Sequence, residues 1–334
     1  MISLSADLPI AQALPDLLRV LATGCNAVLQ APPGAGKTTG VPLALLDEAW
    51  LGGTKILMLE PRRLAARAAA RRMAVLLGET VGETAGYRVR LDSRIGPRTR
   101  IEVVTDGIFT RMIQDDPTLD GIGIVLFDEF HERRLDTDLG LALSLDSQAA
   151  LRPDLRLVAM SATLDAGPVA ALMRAETITA RGRAYPVEPR HLAQPAPDRL
   201  VRELADTVLR ALDEPGDILV FLPGGGEIRR VERALAERRL PANIDVRPLF
   251  GDLDGAAQDS ALAPAPAGRR KIVLATSIAE TSLTIEGVRQ IVDAGLSRTS
   301  RFDPRTGMTR LETQRVSQAA AEQRAGRAGR TAPG

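Results

Sequence analysis

Lysine is nearly absent from this chain. Of its 43 basic residues only Lys37, Lys55 and Lys271 are lysine, so arginine supplies almost every cation and each lysine is informative. Aromatic residues make up 3% of the 334 positions. That scarcity leaves the interior to aliphatic side chains and alanine, and it excludes base stacking as the main grip on a polynucleotide. A single cysteine, Cys25, excludes an internal disulfide; it fits a reducing compartment and reads as a small buried apolar residue. The net charge of +1 excludes a global electrostatic field, so any anionic partner must be met by local clusters of arginine. No basic segment followed by an apolar core opens the sequence, and no apolar run approaches the ~18 residues of a membrane span. A soluble, cytoplasmic, monomeric protein with no membrane partner is the expectation.

What is present is an ordinary globular composition, 45% apolar and 25% charged, over a length that favours two cores. Short apolar runs alternate with helical patterns, the rhythm of parallel βαβ units, so the fold class is α/β. Ala27 to Gln30, Lys55 to Leu59, Ile101 to Thr105, Ile124 to Phe127 and Arg156 to Met160 read as five strands of a first sheet. Prolines 186, 189, 195 and 197 then interrupt any regular element. The expected division is a first domain over residues 1–180, a linker over 181–197 and a second domain over 198–334. In the second, Asp217 to Phe221, Asp245 to Leu249, Lys271 to Ala275 and Gln290 to Asp293 read as strands. Two polar arms around Asp303-Pro304-Arg305-Thr306-Gly307 predict a protruding β-hairpin between Leu296 and Ser317.

The strand ending at Gln30 runs into Ala31-Pro32-Pro33-Gly34-Ala35-Gly36-Lys37-Thr38-Thr39 and then a helical pattern. Glycine lets backbone N–H groups curl around phosphate oxygens, a lysine reaches the outer phosphates and a hydroxyl ligates Mg²⁺, so this is a P-loop. Pro33, Gly34, Ala35, Gly36, Lys37, Thr38 and Thr39 are the expected nucleotide contacts, with Ala31 standing where the pattern has glycine. One of three lysines sits where a compact point charge is needed. The apolar run Ile124 to Phe127 leads directly into Asp128-Glu129-Phe130-His131, at a strand end where α/β sheets place their chemistry. Asp128 with Thr38 is expected to hold Mg²⁺, and Glu129 to deprotonate the water that attacks the γ-phosphate.

With these residues in view, the sequence resembles the DEAH/RHA group of superfamily 2 helicases, Phe130 replacing the alanine of the group's motif. Further motifs follow in order: Glu60 to Arg63, Thr105 to Gly107, Ser161 to Thr163, Phe221 to Gly224, Ala275 to Ile285 and Gln323 to Arg330. The arginine-rich texture, Phe130 and the Pro-Gly-Gly-Gly at 223–226 resemble a bacterial branch of that group. The resemblance implies two tandem RecA-like P-loop NTPase domains with parallel sheets and a β-hairpin inserted in the second. It implies hydrolysis of ATP, or of other nucleoside triphosphates, coupled to single-stranded RNA, with structured RNA or DNA left open as partners.

Gln323 is then expected to position the attacking water. Arg327 and Arg330, three apart on one helical face, would be arginine fingers worth roughly 10³–10⁵ in rate. Lys37 joins the catalytic set. Arg62 or Arg63, Thr105 and Thr281 are expected on the RNA backbone, and Arg72 on the adenine. Leu262 stands where many relatives have a phenylalanine, so weak discrimination among bases is expected. Arg63, Arg67 and Arg71 recur at i, i+4, i+8 in a stretch without an acid, and such like charges repel unless an anion offsets them. The hairpin would act as a wedge or bookend. Relatives continue into accessory domains, so the chain is expected to be a fragment that binds nucleotide but unwinds poorly. Two rivals stand beside this reading: a nucleotide switch without steady turnover, and a DNA translocase.

Overall fold

The computed structural model describes residues 8–162, 166–180, 185–193, 196, 198–280, 285–330 and 332–334. The chain divides into two units between Arg183 and Ala184, inside the stretch expected as linker.

In the first unit the described elements, in chain order, are α1 (Ile10–Ala22), β1 (Ala27–Gln30), α2 (Lys37–Leu45), β2 (Lys55–Leu59), α3 (Arg63–Leu77), β3 (Ala85–Val89), β4 (Asp92–Arg94), β5 (Ile101–Val104), α4 (Asp106–Asp115), β6 (Ile122–Phe127), α5 (Leu135–Ala150), β7 (Arg156–Ser161), α6 (Ala166–Met173) and β8 (Glu176–Thr179). Eight strands form one sheet in the order β4-β3-β5-β2-β6-β7-β1-β8, parallel throughout except for the β3–β4 pair. Every residue of β6 is buried, which is why Ile122–Phe127 reads as a continuous apolar run: a central parallel strand is covered by helices on both faces. Leu29, Met58, Val103, Leu126 and Met160 pack on one face, and Val28, Leu57, Val104, Val125 and Phe127 on the other.

Five strands were expected here, and β3, β4 and β8 are additional. Each lacks a strong apolar signature. β4 is three polar residues, β8 exposes three of its four, and β3 contains Gly86, whose absent side chain leaves room for Arg94 O at 2.3 Å from where a Cβ would stand. Cys25 is also corrected: it lies exposed in the turn before β1.

The second unit contains α7 (Leu200–Ala211), β9 (Asp217–Phe221), α8 (Gly225–Glu237), β10 (Ile244–Leu249), α9 (Gly255–Leu262), β11 (Arg270–Ala275), β12 (Val288–Asp293), β13 (Leu296–Asp303), β14 (Met308–Arg315) and α10 (Gln318–Ala325). The four strands predicted for it form an all-parallel sheet, β10-β11-β9-β12, and the predicted hairpin is the separate antiparallel pair β13–β14. Asp303 closes the turn by accepting from Gly307 N–H, and Gly307 has φ 64°. Asp254 and Ser317 cap α9 and α10 through their side-chain oxygens.

Part of the proline-rich stretch is tied into this unit. Tyr185 N–H donates to Gly329 O at 3.1 Å, Glu188 N–H to Gly334 O at 2.9 Å and Gly334 N–H to Pro186 O at 3.1 Å. The approach is close enough that a Cβ on Gly329 would stand 2.5 Å from Tyr185 O, a backbone atom that cannot swing aside. Gly329→Ala is therefore expected to lower stability by about 1–3 kcal/mol in a denaturant titration. Gly326→Ala, whose Cβ would meet nothing nearer than 3.4 Å, is expected to be near neutral.

Candidate functional site

The carboxyl edge of the first sheet carries several of the first-unit segments that the sequence singles out. β1 runs into the loop 31–36, β2 into Glu60, β5 into Thr105, β6 into Asp128 and β7 into Ala162. Parallel strands place all these ends on one side, the side where α/β sheets bind ligands.

The loop after β1 is tightly curled by glycine. Gly34 and Gly36 adopt φ of 79° and 89°, left-handed values that cost glycine little, and Gly36 is the residue from which α2 starts. Ala35 N–H bonds to Pro32 O and Ala35 O accepts from Ile10 N–H, which fixes the curl of the loop. The N-terminus of α2 thus faces the loop with its unsatisfied N–H groups. Lys37 is the first residue of α2 and 4% exposed.

Thr38 Oγ1 donates to Asp128 Oδ2 at 2.6 Å, so two hard oxygens from α2 and the end of β6 meet directly. Asp128 is 1% exposed, and its carboxyl pKa is pushed up to about 6, first by burial and then by the charge of Glu129; Lys37 and the Thr38 hydroxyl act the other way. A buried carboxylate of this kind calls for a cation. A hydroxyl and a carboxylate suit Mg²⁺, which keeps waters and substrate phosphates as its other ligands and needs no all-protein cage. No cluster of three or more His, Cys, Asp or Glu that could hold a metal occurs among the described residues.

The sign of the Asp128 shift gives a stability prediction. An acid whose folded pKa exceeds its ordinary 3.8 costs nothing where both states are protonated, below about pH 4. The cost grows as pH rises toward 6 and is complete above it, on the order of 2–3 kcal/mol. Asp128→Asn, which keeps an oxygen to accept from Thr38, is expected to raise the thermal midpoint of the metal-free protein at pH 7.5. The gain should disappear by pH 4.

Glu129 is 9% exposed and has φ 51°, a left-handed conformation that costs a side-chain-bearing residue roughly 1–2 kcal/mol. It leads into a 3-10 turn, Phe130–Glu132, after which Arg133 is again left-handed at φ 48°. Phe130 anchors the turn by packing edge-on against Phe127. Burial lowers the His131 pKa, and its Nδ1 accepts from Ala162 N–H at 3.3 Å. The ring therefore ties the β6 loop to the end of β7, with Glu129 Oε2 3.4 Å from the same nitrogen.

Of the residues expected on RNA, Arg63 is exposed at the start of α3, Thr105 is half-buried as the N-cap of α4, and Thr281 lies outside the described residues, as does Thr163. Arg62 is ion-paired with Glu132 at 3.0 Å. Arg72 is exposed. The acid missing from the arginine repeat is supplied from outside α3: Asp92 of β4 pairs with Arg67 at 3.4 Å and accepts from Tyr87 Oη at 3.1 Å.

In the second unit one expectation is corrected. Arg327 and Arg330 do not lie on a helix, because α10 ends at Ala325 and residues 326–330 form turns. The two side chains still converge, lining one small recess with Leu219, Ala279, Ile285 and Val288. Arg327 is buried and donates to Glu280 O; Gln323 is half-buried on α10. Leu262 is the half-buried last residue of α9.

Sequence reasoning gave Arg324 no role. It is 1% exposed, bonds Glu280 Oε2 at 3.0 Å, Asp293 Oδ1 at 2.8 Å and Leu296 O at 3.3 Å, and lies 4.9 Å from the Phe221 ring centroid. It thereby joins three motif-bearing segments to the base of the hairpin. Lys271 was likewise unexplained. It is buried with its pKa lowered by desolvation, and its ammonium donates to Ala261 O and Ala263 O, capping the carbonyl end of α9. The only available signal was that Lys271 is one of three lysines.

Residues 10–172 match the DEAD/DEAH box helicase family and residues 199–332 match the helicase conserved C-terminal domain. The chain belongs to the DEAD/DEAH box helicase family. This family member is 53% identical over 98% of its length to ATP-dependent RNA helicase HrpB of Escherichia coli (strain K12), of which it covers 41%. It is 39% identical over 98% of its length to the pre-mRNA-splicing factor ATP-dependent RNA helicase prp22 of Schizosaccharomyces pombe, covering 29% of that protein. A crystal structure of E. coli DEAH/RHA helicase HrpB superposes with a TM-score of 0.90 at 53% identity, covering 98% of this chain and 42% of the other. A second, of E. coli DExH-box NTPase HrpB, gives a TM-score of 0.81 at 52% identity, covering 99% and 41%. The helicase-family chain thus spans less than half the length of these relatives.

Proposed function

We propose that this chain is the motor core of an ATP-dependent RNA helicase, hydrolysing a nucleoside triphosphate in a reaction stimulated by single-stranded RNA. The observation that supports this most directly is the first unit's carboxyl edge, where a glycine-curled anion cradle, Lys37 and the Thr38–Asp128 oxygen pair adjoin Glu129. Names carried by relatives at 53% and 39% identity point the same way.

In this reading the loop residues Pro33 to Gly36 with Thr39 bind the phosphates, and Lys37 neutralises their charge. Thr38 and Asp128 would hold Mg²⁺, which would supply Lewis acidity at the phosphate oxygens. Glu129 takes the proton of the attacking water. Gln323 orients that water, and Arg327 and Arg330 stabilise charge developing on the transferred group. Arg62 or Arg63, with Thr105 and Thr281, bears on RNA phosphates and sugars, contacts that carry no sequence information. Arg72 is assigned to the base, and Leu262 offers apolar contact without a π face, so ATP and GTP are expected to be hydrolysed at comparable rates.

Phosphate release with and without a panel of single-stranded RNAs and DNAs tests the proposal. Stimulation by RNA above DNA is the expected result. Equal stimulation by DNA would favour a DNA translocase, and negligible turnover under every condition would favour a nucleotide switch.

A further inference from the structure

The loop that carries Asp128 and Glu129 is strained at both ends, and two ion pairs hold it that hydrolysis alone does not explain. Glu129 and Arg133 flank its 3-10 turn in left-handed conformations, which persist only where surroundings enforce them. The enforcing contacts run to two segments assigned to the polynucleotide. Glu132 pairs with Arg62, the residue preceding α3, at 3.0 Å; Arg134 pairs with Asp106, the residue following Thr105, at 3.1 Å. The first pair is sheltered; in the second a buried carboxylate meets an Arg134 side chain that is 42% exposed. The Arg62 and Glu132 side chains are 26% and 12% exposed, and Asp106 is 4% exposed, with Thr137 as a further partner.

Glu132 engages the Nη1 and Nη2 edge of the Arg62 guanidinium, at 3.0 and 3.3 Å, an edge that a phosphate recognises in the same way. An RNA phosphate arriving at Arg62 must therefore compete with Glu132. Where the phosphate wins, a carboxylate three residues from Glu129 exchanges its ion pair with Arg62 for a different arrangement, and the short turn that joins the two residues shifts with it. The Arg134–Asp106 pair stays in place and acts as the pivot. His131, on the same turn, has its Nδ1 3.3 Å from Ala162 N and 3.4 Å from Glu129 Oε2, so a shift of the turn also reaches the end of β7.

We infer that Glu132 is a positioning residue through which RNA binding at Arg62 reaches the hydrolytic loop. In the absence of RNA it occupies Arg62, and its displacement by phosphate is the step that stimulates turnover. The inference rests on the proposed RNA contact at Arg62.

The test uses the 334-residue chain with Glu132→Gln, Arg62→Gln and the double variant. Affinity for a labelled single-stranded oligoribonucleotide is read by anisotropy, and phosphate release is measured with and without saturating RNA. With the competing carboxylate gone, E132Q should bind RNA about threefold tighter, yet its ratio of RNA-saturated to RNA-free rate should fall at least about threefold. The tightening should vanish in the R62Q background. A purely structural Glu132 would instead weaken RNA binding and lower both rates together, so parental or weaker affinity in E132Q, or an undiminished ratio, overturns the inference. Glu132→Asp, which keeps the charge but shortens its reach, should shift both readouts in the same direction by less, and serves if E132Q folds poorly. If R62Q leaves RNA affinity unaltered, the RNA contact itself is wrong. If R62Q weakens binding while E132Q changes nothing, only the coupling fails.

Discussion

Glu129→Gln is expected to leave nucleotide binding within about twofold of the parent while lowering phosphate release about 10²–10⁴-fold, the range for loss of a positioned general base. The structure separates the two effects. The anion cradle, Lys37 and the Thr38–Asp128 pair belong to other residues, and the substitution is isosteric. Glu129 is held in a left-handed conformation at the end of a fully buried strand, so its carboxylate is placed by backbone geometry enforced through Phe130 and His131. Glutamine preserves that geometry and removes only the basicity. Removing the Glu129 charge also relieves Asp128, whose pKa should move down from about 6 toward its ordinary value. Single-turnover phosphate release together with nucleotide affinity checks both parts. Residual release within tenfold of the parent would mean that another group accepts the proton.

Arg327→Ala and Arg330→Ala are each expected to lower the turnover of RNA-saturated protein by about 10³–10⁵-fold. The double variant should be little worse than either single one, because groups that act on one transition state are not additive. The two replacements should differ in stability. Arg327 is buried and satisfies Glu280 O, so its loss should also cost about 1–2 kcal/mol, the penalty of a buried polar group left without its donor. Arg330 is half-buried, and its replacement should cost less. Thermal unfolding beside steady-state kinetics separates the two contributions. Full activity of either single variant would remove the arginine-finger assignment.

The segments proposed for the site are legible because each is local in sequence. A phosphate loop needs glycine, lysine and threonine within a few residues, and the acid pair must follow a buried strand directly. What escaped the sequence was structure whose partners lie far apart. Strands β3, β4 and β8 are short and polar or glycine-bearing, so no alternation of apolar residues marks them, and they exist because a neighbouring strand offers its backbone. The exposure of Cys25 depends on a turn that composition cannot reveal. Arg327 and Arg330 keep a helical spacing, yet the chain leaves the helix at Ala325 and still turns both side chains into one recess. The arginine repeat of α3 carries no acid of its own, but Asp92 comes to it across the hairpin β3–β4.

By itself the sequence determined the α/β class, the four parallel strands and hairpin of the second unit, the glycine-bearing loop between β1 and α2 and the place of Asp128 and Glu129 at a strand end. Each is encoded by residue types within a short window. Only the tertiary structure decided which charges neutralise one another: Arg62 with Glu132, Arg134 with Asp106, Arg324 with Glu280 and Asp293, and Lys271 with the carbonyl end of α9. Electrostatic partners are chosen by distance in space and by burial, and neither quantity exists until the sheet has set its strand order.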